Sequence, residues 1–288
     1  MTRIVRVLAP NPGLRELDGT NTWIVGPPPA IVIDPGPDHD GHQREVARTA
    51  GRVGVIVLTH DHPDHAPGAR TLAQMTGAAV RAVRPPDGAE RLRDGERVRA
   101  GGVEVLVVAT PGHTPDHVAF LLEPDHVLFT GDAVLGRGTS VIDPPEGDLV
   151  AYLRSLRRMR DLHPRTIHPG HGPLVVDAGA KLDEYVAHRE DREEQIVVAL
   201  RDGPRAIDEL VPVVYAGYPE ALFELAGRSV LAHLLKLEDE GRAEKRTRDG
   251  VERWRLVEPR ACARCGRPVR GRAKLCGSCS LAVLQETD

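Results

Sequence analysis

One short run of the sequence concentrates side chains that bind metals and activate water. The run His60-Asp61-His62-Pro63-Asp64-His65 follows an apolar stretch, residues 53–58, that predicts a buried strand. His60 and His62 can converge on one metal from the loop at the strand end, while Asp64 and His65 can reach a second metal. Imidazole and carboxylate are the ligands that a borderline cation such as Zn²⁺ prefers. The run therefore predicts half of a two-metal hydrolytic site.

Three further candidate ligands also stand directly after predicted strands. They are His113 in TPGHT, Asp132 in FTGD and His171 in HPGHG. Strand ends are where an α/β enzyme gathers its site residues. A lone histidine is usually a surface or hydrogen-bonded residue. Seven candidate ligands at successive strand ends, however, make chance clustering a poor explanation. Zn²⁺, Mn²⁺ and Fe²⁺ are all compatible with these ligands.

Three neighbouring residues are candidate substrate contacts, each with a structural alternative. His117, four positions after His113, could contact substrate or donate a hydrogen bond to a ligand, and a structural role at a strand edge is equally open. Arg137 could meet an anionic substrate group or lie in a solvated loop. His168 is interpreted as a polar residue near the rim of the site, because His171 fits the ligand motif.

Three other polar residues receive plainer interpretations. Asn21 could pin a loop near the site or simply form a turn. Asp34 stands at a strand end before Pro35-Gly36, where turn capping accounts for it. Asp61 is interpreted as a spacer between ligands.

The first 175 residues alternate short β-branched stretches with turns and a few helical stretches, which predicts a mixed α/β domain with two sheets. This catalytic domain is assigned to residues 1–176. No stretch approaches the ~20 apolar residues of a membrane span, and the N-terminus lacks the apolar region of a signal peptide, so a cytoplasmic protein is expected. Strands are expected at residues 4–8, 22–25, 30–33, 53–58, 103–109, 118–122, 126–130 and 166–168, and helices at about 39–50, 65–77 and 149–162.

Residues 177–258 predict a second, smaller domain. A hairpin is expected at residues 243–258, around the strong turn signal Asp249-Gly250. A long helix followed by three short helices and a hairpin describes a winged-helix module. The long helix is expected at residues 182–203, and the short ones at residues 205–215, 219–227 and 228–242.

All four cysteines lie in the tail, residues 259–288, as Cys262-x-x-Cys265 and Cys276-x-x-Cys279. In a reducing compartment two CxxC pairs suit one structural Zn²⁺ better than disulfides, with free or oxidised thiols as the alternative. The gap between the pairs is shorter than the usual ~15–20 residues, so a minimal zinc ribbon is predicted. The tail is too short to build a core, and the metal would supply its folding free energy.

Charge is unevenly spread along the chain. Residues 1–241 carry 26 Lys and Arg against 36 Asp and Glu, whereas residues 242–274 carry 12 against 4. A basic end on an acidic body suggests an anionic partner such as RNA, bound through the winged helix and the basic 242–274 segment. A solvated Arg-rich surface is the alternative.

The motifs H-x-H-x-D-H, Gly-His, Gly-Asp and Pro-Gly-His-Gly, in this order, resemble the metallo-β-lactamase superfamily over essentially residues 1–256. The resemblance implies an αβ/βα sandwich with the site at one rim. Two adjacent cations would lower the pKa of a shared water from about 15.7 toward ~7, giving a metal-bridging hydroxide that Asp64 would orient. The implied ligands are His60, His62 and His113 for one metal and Asp64, His65 and His171 for the second, with Asp132 bridging.

Departures from the superfamily patterns exclude some of its activities. The commonest class of β-lactamases places a Cys in the second metal site, where this chain has Asp132, and no Cys precedes residue 262. Antibiotic hydrolysis is therefore not expected. Nucleases of the β-CASP group insert a whole domain before the last His motif, but only 38 residues separate Asp132 from His171 here.

A narrower resemblance is to the β-lactamase-like protein 2 group, related to glyoxalase II. It rests on TNTWIVG, VIDPGP, TPGHTPDHVAFLL, TGDAVLGRGTSV, PGHGPLV and YVAHREDREEQI. That group carries the same winged helix, and its animal branch is associated with endoribonuclease activity. The leading expectation is thus hydrolysis of single-stranded RNA, and the alternative is thioester or ester hydrolysis of a small metabolite. A third hypothesis, from a functional class other than enzymes, is a nucleic-acid or protein-binding module with a vestigial metal site.

Overall fold

The computed structural model describes residues 1–85, 89–248, 250–258, 260–266 and 268–269, which pack as two compact units. The first unit contains residues 1–140 and 145–187, and the second contains residues 141–144 and the chain from residue 188 onward. The strands are β1 (Ile4–Leu8), β2 (Asn21–Val25), β3 (Ala30–Ile33), β4 (Val53–Val57), β5 (Ala79–Ala82), β6 (Glu90–Arg91), β7 (Arg97–Ala100), β8 (Val103–Ala109), β9 (Val118–Leu122), β10 (Val127–Gly131), β11 (Thr166–Pro169), β12 (Ala243–Arg248), β13 (Val251–Leu256), β14 (Arg260–Ala261) and β15 (Pro268–Val269). The helices are α1 (Asp40–Ala50), α2 (Gly68–Thr76), α3 (Leu149–Asp161), α4 (Ala178–Arg201), α5 (Ile207–Val214) and α6 (Phe223–Asp239).

Two sheets build the first unit. One sheet has the order β1-β2-β3-β4-β5-β6, and the other has the order β11-β10-β9-β8-β7. Strands β3 to β6 are parallel, as are β10 and β11, whereas the remaining neighbours are antiparallel. The predicted α/β domain with two sheets is confirmed.

The core of the first unit lies between the two sheets. Ile31 and Ile33 of β3 pack there against Phe120 and Phe129 of the other sheet. The intervening Val32 packs on the opposite face of its sheet, against α1 and α2. Because both faces of the strand are buried, β3 is apolar at every position rather than alternating.

The start of α3 shows why this helix forms where the sequence predicts it. The side chain of Asp148 accepts the backbone N–H groups of Val150 and Ala151 and caps α3, as its sequence position predicts. Tyr152 of α3 is buried and donates a hydrogen bond from its hydroxyl to Ala133 O, at 2.6 Å. With α1 and α2 packed on the face of the first sheet that lies away from the second sheet, the predicted layering of helices on sheets is confirmed.

The three strands that sequence patterns missed in the first unit, β5, β6 and β7, each contain arginine. In β5, Arg81 pairs with Glu90 and Glu96, at 3.2 and 2.6 Å. Such charged strands lack the apolar alternation on which strand prediction depends. The helix predicted at residues 65–77 begins later, at Gly68, and Asp64 and His65 lie in the turn that precedes it.

The second unit contains the predicted winged helix. Its core gathers Trp254 of β13 with Val211 of α5 and Leu234 of α6. The prediction of three short helices is wrong, because one helix, α6, replaces the last two. A Cβ added at Gly227 would meet the side chains of Ile207 and Val211 at 3.6 and 3.8 Å, so this glycine permits close packing on α5 instead of breaking the helix.

The hairpin and the tail complete the second unit. Strands β12 and β13 pair from Ala243↔Leu256 to Arg248↔Val251, as predicted. Asp249, Cys276 and Cys279 lie outside the described residues, so the predicted four-cysteine zinc site stays a prediction. Within the described ranges, every helix is too short or too polar to span a bilayer.

Gly112, in the loop between β8 and β9 that packs against α3, offers a stability test. Its φ is +136°, and a Cβ there would lie 2.4 Å from the Tyr152 backbone. Gly112→Ala should therefore lower the free energy of unfolding by about 3 kcal/mol. Gly102→Ala is the matched control, because Gly102 has φ +75° but no atom within 4 Å. It should cost only about 1–2 kcal/mol. Equal losses in urea unfolding would mean that the Tyr152 contact is unimportant.

His42 of α1 predicts a dependence of stability on acid. Burial, with His39 nearby, lowers its pKa from 6.5 to about 4. Between these values the unfolded chain binds a proton that the folded chain does not, so stability present above pH 6.5 is lost as the pH falls. Between pH 7 and pH 4.5 the wild type should lose about 2 kcal/mol more unfolding free energy than His42→Gln, because glutamine does not titrate. Urea unfolding of both proteins at pH 7 and 4.5 measures it, and an equal loss in both would contradict it.

Candidate metal centre

All seven predicted ligands come together at one end of the two sheets of the first unit, in two groups. Within each group, one potential ligand atom per residue lies within 4.8 Å of the others. The rings of His60 and His65, one from each group, have centroids only 4.4 Å apart. The groups are His60, His62 and His113, and Asp64, His65, Asp132 and His171.

The first group offers three imidazole nitrogens. His60 follows β4, and its Nδ1 lies 2.9 Å from the hydroxyl of Thr59. Its Nε2 is buried and has no hydrogen-bond partner among the described residues. Nδ1 of His62 lies 3.2 Å from Nε2 of His113. Three nitrogens so placed fit a cation that accepts imidazole ligands.

The second group crowds nitrogen and oxygen atoms together. Nε2 of His171 lies 3.2 Å from Nε2 of His65 and 3.0 Å from a carboxylate oxygen of Asp64. Oδ1 of Asp132 lies 3.3 Å from both histidine nitrogens, and it is buried without a conventional hydrogen bond. This donor set, two imidazoles and two carboxylates, suits Zn²⁺, Mn²⁺ or Fe²⁺.

Asp132, a member of the second group, also faces the first group. Its Oδ1 faces His65 and His171, whereas its Oδ2 lies 3.8 Å from Nε2 of His113. The carboxylate follows β10 and is held within a buried cage of three histidines. One oxygen for each group is the arrangement that a bridging ligand requires.

The charges of the two groups differ in the absence of a cation. Burial lowers the pKa of His60 well below its ordinary value, so this ring is neutral. Burial also opposes the charging of His65 and His171, but the Asp132 carboxylate outweighs it and raises both pKa values, that of His171 to about 9. Protons then occupy these two rings at neutral pH, and a cation would displace them.

Asp34 is a residue of the site to which sequence reasoning gave the wrong role. Its Oδ1 accepts the backbone N–H of Thr59, and its Oδ2 accepts the Thr59 hydroxyl and lies 3.0 Å from Nδ1 of His65. It is buried, in a left-handed conformation with φ +49°. The interpretation as a turn cap is therefore wrong: Asp34 orients His65. The available signal was its position at the end of β3, beside β4 in the sheet.

Asn21 fixes the turn that carries His171. Its buried side-chain amide donates to Pro169 O and Gly172 O, at 3.0 and 2.9 Å, and its backbone N–H donates to Gly170 O. The carbonyl of Gly19 lies 3.2 Å from Nδ1 of His171. Of the two alternatives for Asn21, the structure shows the pinned loop.

Two of the three candidate substrate contacts are buried. The Nδ1 of His117 lies 2.8 Å from the Thr110 hydroxyl, and its ring centroid is 5.0 Å from that of His60. His168 packs against Trp23, with ring centroids 4.5 Å apart, and burial lowers its pKa to about 4. The prediction of a rim position for His168 is wrong, because Trp23 and its neighbours enclose it.

Arg137, Asp61 and Glu146 are exposed. Arg137 lies 3.6 Å from Asp18, with both side chains more than 60% exposed, and its role toward substrate stays a prediction. Asp61 is exposed and belongs to neither ligand group. Glu146, which sequence reasoning did not single out, has Oε2 3.8 Å from Nε2 of His62. No motif marks Glu146 in the sequence.

Known proteins share both the motifs and the architecture. Residues 15–91 and 78–171 match the Metallo-beta-lactamase superfamily, and residues 206–254 match the Beta-lactamase associated winged helix domain. An atrochrysone carboxyl ACP thioesterase from Aspergillus chevalieri is 34% identical over 274 residues, which cover 88% of this chain and 87% of that protein. A beta-lactamase-like protein 2 homolog from Drosophila melanogaster is 34% identical over 266 residues, which cover 83% and 89%.

A solved structure supports the fold independently. A beta-lactamase domain protein from Burkholderia ambifaria superposes with a TM-score of 0.77 at 23% identity, covering 89% of this chain and 91% of that one. The resemblance drawn from the motifs is confirmed by the family matches and by the relative from Drosophila melanogaster. With its histidine and aspartate groups at the ends of two sandwiched sheets, this chain belongs to the metallo-β-lactamase superfamily and carries the winged-helix domain associated with it.

Proposed function

We propose that this chain is a dinuclear metal hydrolase that cleaves thioesters or esters. The supporting observation is the pair of ligand groups that share the Asp132 carboxylate. Divalent cations held by these groups would supply a hydroxide nucleophile near neutral pH and polarise the bond under attack. Such chemistry serves acyl and phosphoryl substrates alike, so the substrate class depends on the surroundings of the site.

In this proposal Asp64 would orient the attacking water. Its carboxylate is 20% exposed, whereas the side chains of His65 and His171 around it are buried. Despite partial burial, hydrogen bonds with His171 and His65 hold its pKa far below the ordinary value. It therefore stays ionised and accepts a hydrogen bond from water across the neutral range.

The charge around the centre favours an acyl substrate over a polyanion. Asp61 and Glu146 are exposed carboxylates next to His62. They would repel the successive phosphates of RNA, but they carry no penalty for a neutral thioester or ester group. One relative that matches most of this chain is named as a thioesterase acting on an acyl carrier protein, which supports the same class.

RNA hydrolysis is the second candidate. The winged-helix match and the excess of Lys and Arg in residues 242–274 favour it. Within the described hairpin, however, carboxylates of the chain already pair with the basic side chains. Lys245 lies 3.0 Å from Glu252, and Arg246 lies 2.9 Å from Glu244. These pairs leave less positive charge for phosphates than the composition alone indicates.

A paired assay distinguishes the two candidates. Zinc-loaded protein should hydrolyse a glutathione or pantetheine thioester and leave unstructured RNA intact. His60→Ala should lower thioester turnover by more than about 100-fold, the upper end for a residue that only supports a ligand. His126→Asn is the matched control, because His126 is exposed and outside both groups. If the wild type cleaves RNA but not the thioester, and His60→Ala abolishes the RNA cleavage, the second candidate would replace the proposal.

Asp34→Asn tests how the second ligand group is oriented. The amide oxygen of Asn can still accept the Thr59 N–H, but the amide NH₂ then faces Nδ1 of His65. An NH₂ donor favours the tautomer that carries its proton on Nε2, and this proton blocks the nitrogen that a cation would bind. Metal affinity should fall about 10–100-fold, and excess metal should restore turnover. Asp40→Asn, a change at an exposed carboxylate of α1, is the control. Unchanged affinity in a metal-competition titration would remove this role from Asp34.

A further inference from the structure

The tail begins with a short hairpin built around its first cysteine pair. Strands β14 and β15 pair through Arg260↔Val269 and Ala261↔Pro268, and Cys262 and Cys265 lie in the connection between them. The backbone N–H of Gly266 donates to Cys262 O at 2.9 Å, which closes the connection into a tight loop.

Gly266 explains the shape of this loop. Its φ is +71°, a left-handed conformation that glycine adopts without strain, and it lies directly after Cys265. The chain therefore reverses immediately after the second cysteine, and both cysteines belong to a single turn. A CxxC sequence in a turn that ends on a left-handed glycine has the form of a metal-binding knuckle, which presents two thiolates from one short loop.

The hairpin cannot hold itself together by packing. Each strand has only two residues, and an isolated two-stranded hairpin is marginal in water even when it is longer. Residues 259–274 contain six Lys or Arg and no aromatic residue, so the sequence offers little apolar surface to bury. A crosslink, from a metal or from a disulfide, is the available source of stability for such a segment.

We propose that Cys262 and Cys265 bind one structural Zn²⁺. Cys276 and Cys279, which lie outside the described residues, repeat the same spacing in the sequence, and a tetrahedral site needs two further ligands of this kind. Each thiol loses a proton when it binds the ion. This site is independent of the proposed hydrolase function, since it shares no residue with the two ligand groups of the first unit.

The two kinds of site differ in the metals that they select. Thiolates are soft ligands that favour Zn²⁺, whereas the imidazole and carboxylate groups of the catalytic centre tolerate Mn²⁺ and Fe²⁺. Protein produced in medium rich in manganese should therefore retain one equivalent of zinc in the tail while the metal in the first unit changes. A disulfide-crosslinked tail would retain none.

Metal content of the full chain tests the proposal. Zinc-supplemented protein purified under reducing conditions should lose one zinc per chain in the double variant C262S/C265S, by mass spectrometry of the metals. The zinc that C262S/C265S retains is bound in the first unit. The variant H60A/H171A should lose that zinc and keep the zinc of the tail. Ala263→Ser is the matched control within the loop, because Ala263 is exposed and carries no ligand atom. Equal zinc in the wild type and C262S/C265S would overturn the proposal.

Cobalt substitution gives a readout that does not depend on how the serine variants fold. Co²⁺ added to the metal-free, reduced full chain should produce a thiolate-to-cobalt charge-transfer band, which His and Asp ligands cannot give. The band should persist in H60A/H171A and should vanish when the cysteines are alkylated beforehand. The proposal would also be overturned if the fully reduced wild type gave no charge-transfer band. Intrachain disulfides between these cysteines that persist under reducing conditions would overturn it as well.

Discussion

A buried imidazole can bind a cation only through a nitrogen without a proton, so the rest of the centre depends on the group that holds the other nitrogen. In this chain the Thr59 hydroxyl faces Nδ1 of His60, the Asp34 carboxylate faces Nδ1 of His65, and a backbone carbonyl faces Nδ1 of His171. Each contact leaves Nε2 directed toward the ligand group. Without them the rings could rotate or change tautomer, and the groups would no longer converge.

This constraint explains why the site requires the sandwich. Asp34 ends β3 and Thr59 follows β4, and these neighbouring parallel strands are in register through Ile33↔Val57. The carbonyl of Thr59 then accepts the N–H of Val118, at 2.8 Å, and joins the first sheet to β9 of the second. One residue thus orients a ligand, contacts Asp34 and links the two sheets. The apolar interior behind Thr59 shields these hydrogen bonds from water. Hydrogen bonds are stronger in such an environment than in water.

The features that sequence predicts well are those encoded locally. The seven candidate ligands could be found because each stands in a short motif after an apolar strand, and the capped start of α3 at Asp148 is equally local. Asp34 could not be assigned because its partner, His65, is 31 positions away and approaches only when β3 lies beside β4. The break expected at Gly227 fails for a related reason, since close packing on α5 outweighs the low helix propensity of glycine.

Catalytic chemistry and substrate choice have different physical origins in this structure. The seven ligand residues are buried or half-buried and lie in the turns that follow regular strands, so their positions depend on the packing that stabilises the sheets. Glu146 and the Arg137–Asp18 pair are instead exposed residues of loops. We expect substitutions at such exposed positions to change the surface charge more than the positions of the ligands. A fold of this kind can therefore keep one bond-breaking apparatus while the class of substrate varies among its relatives.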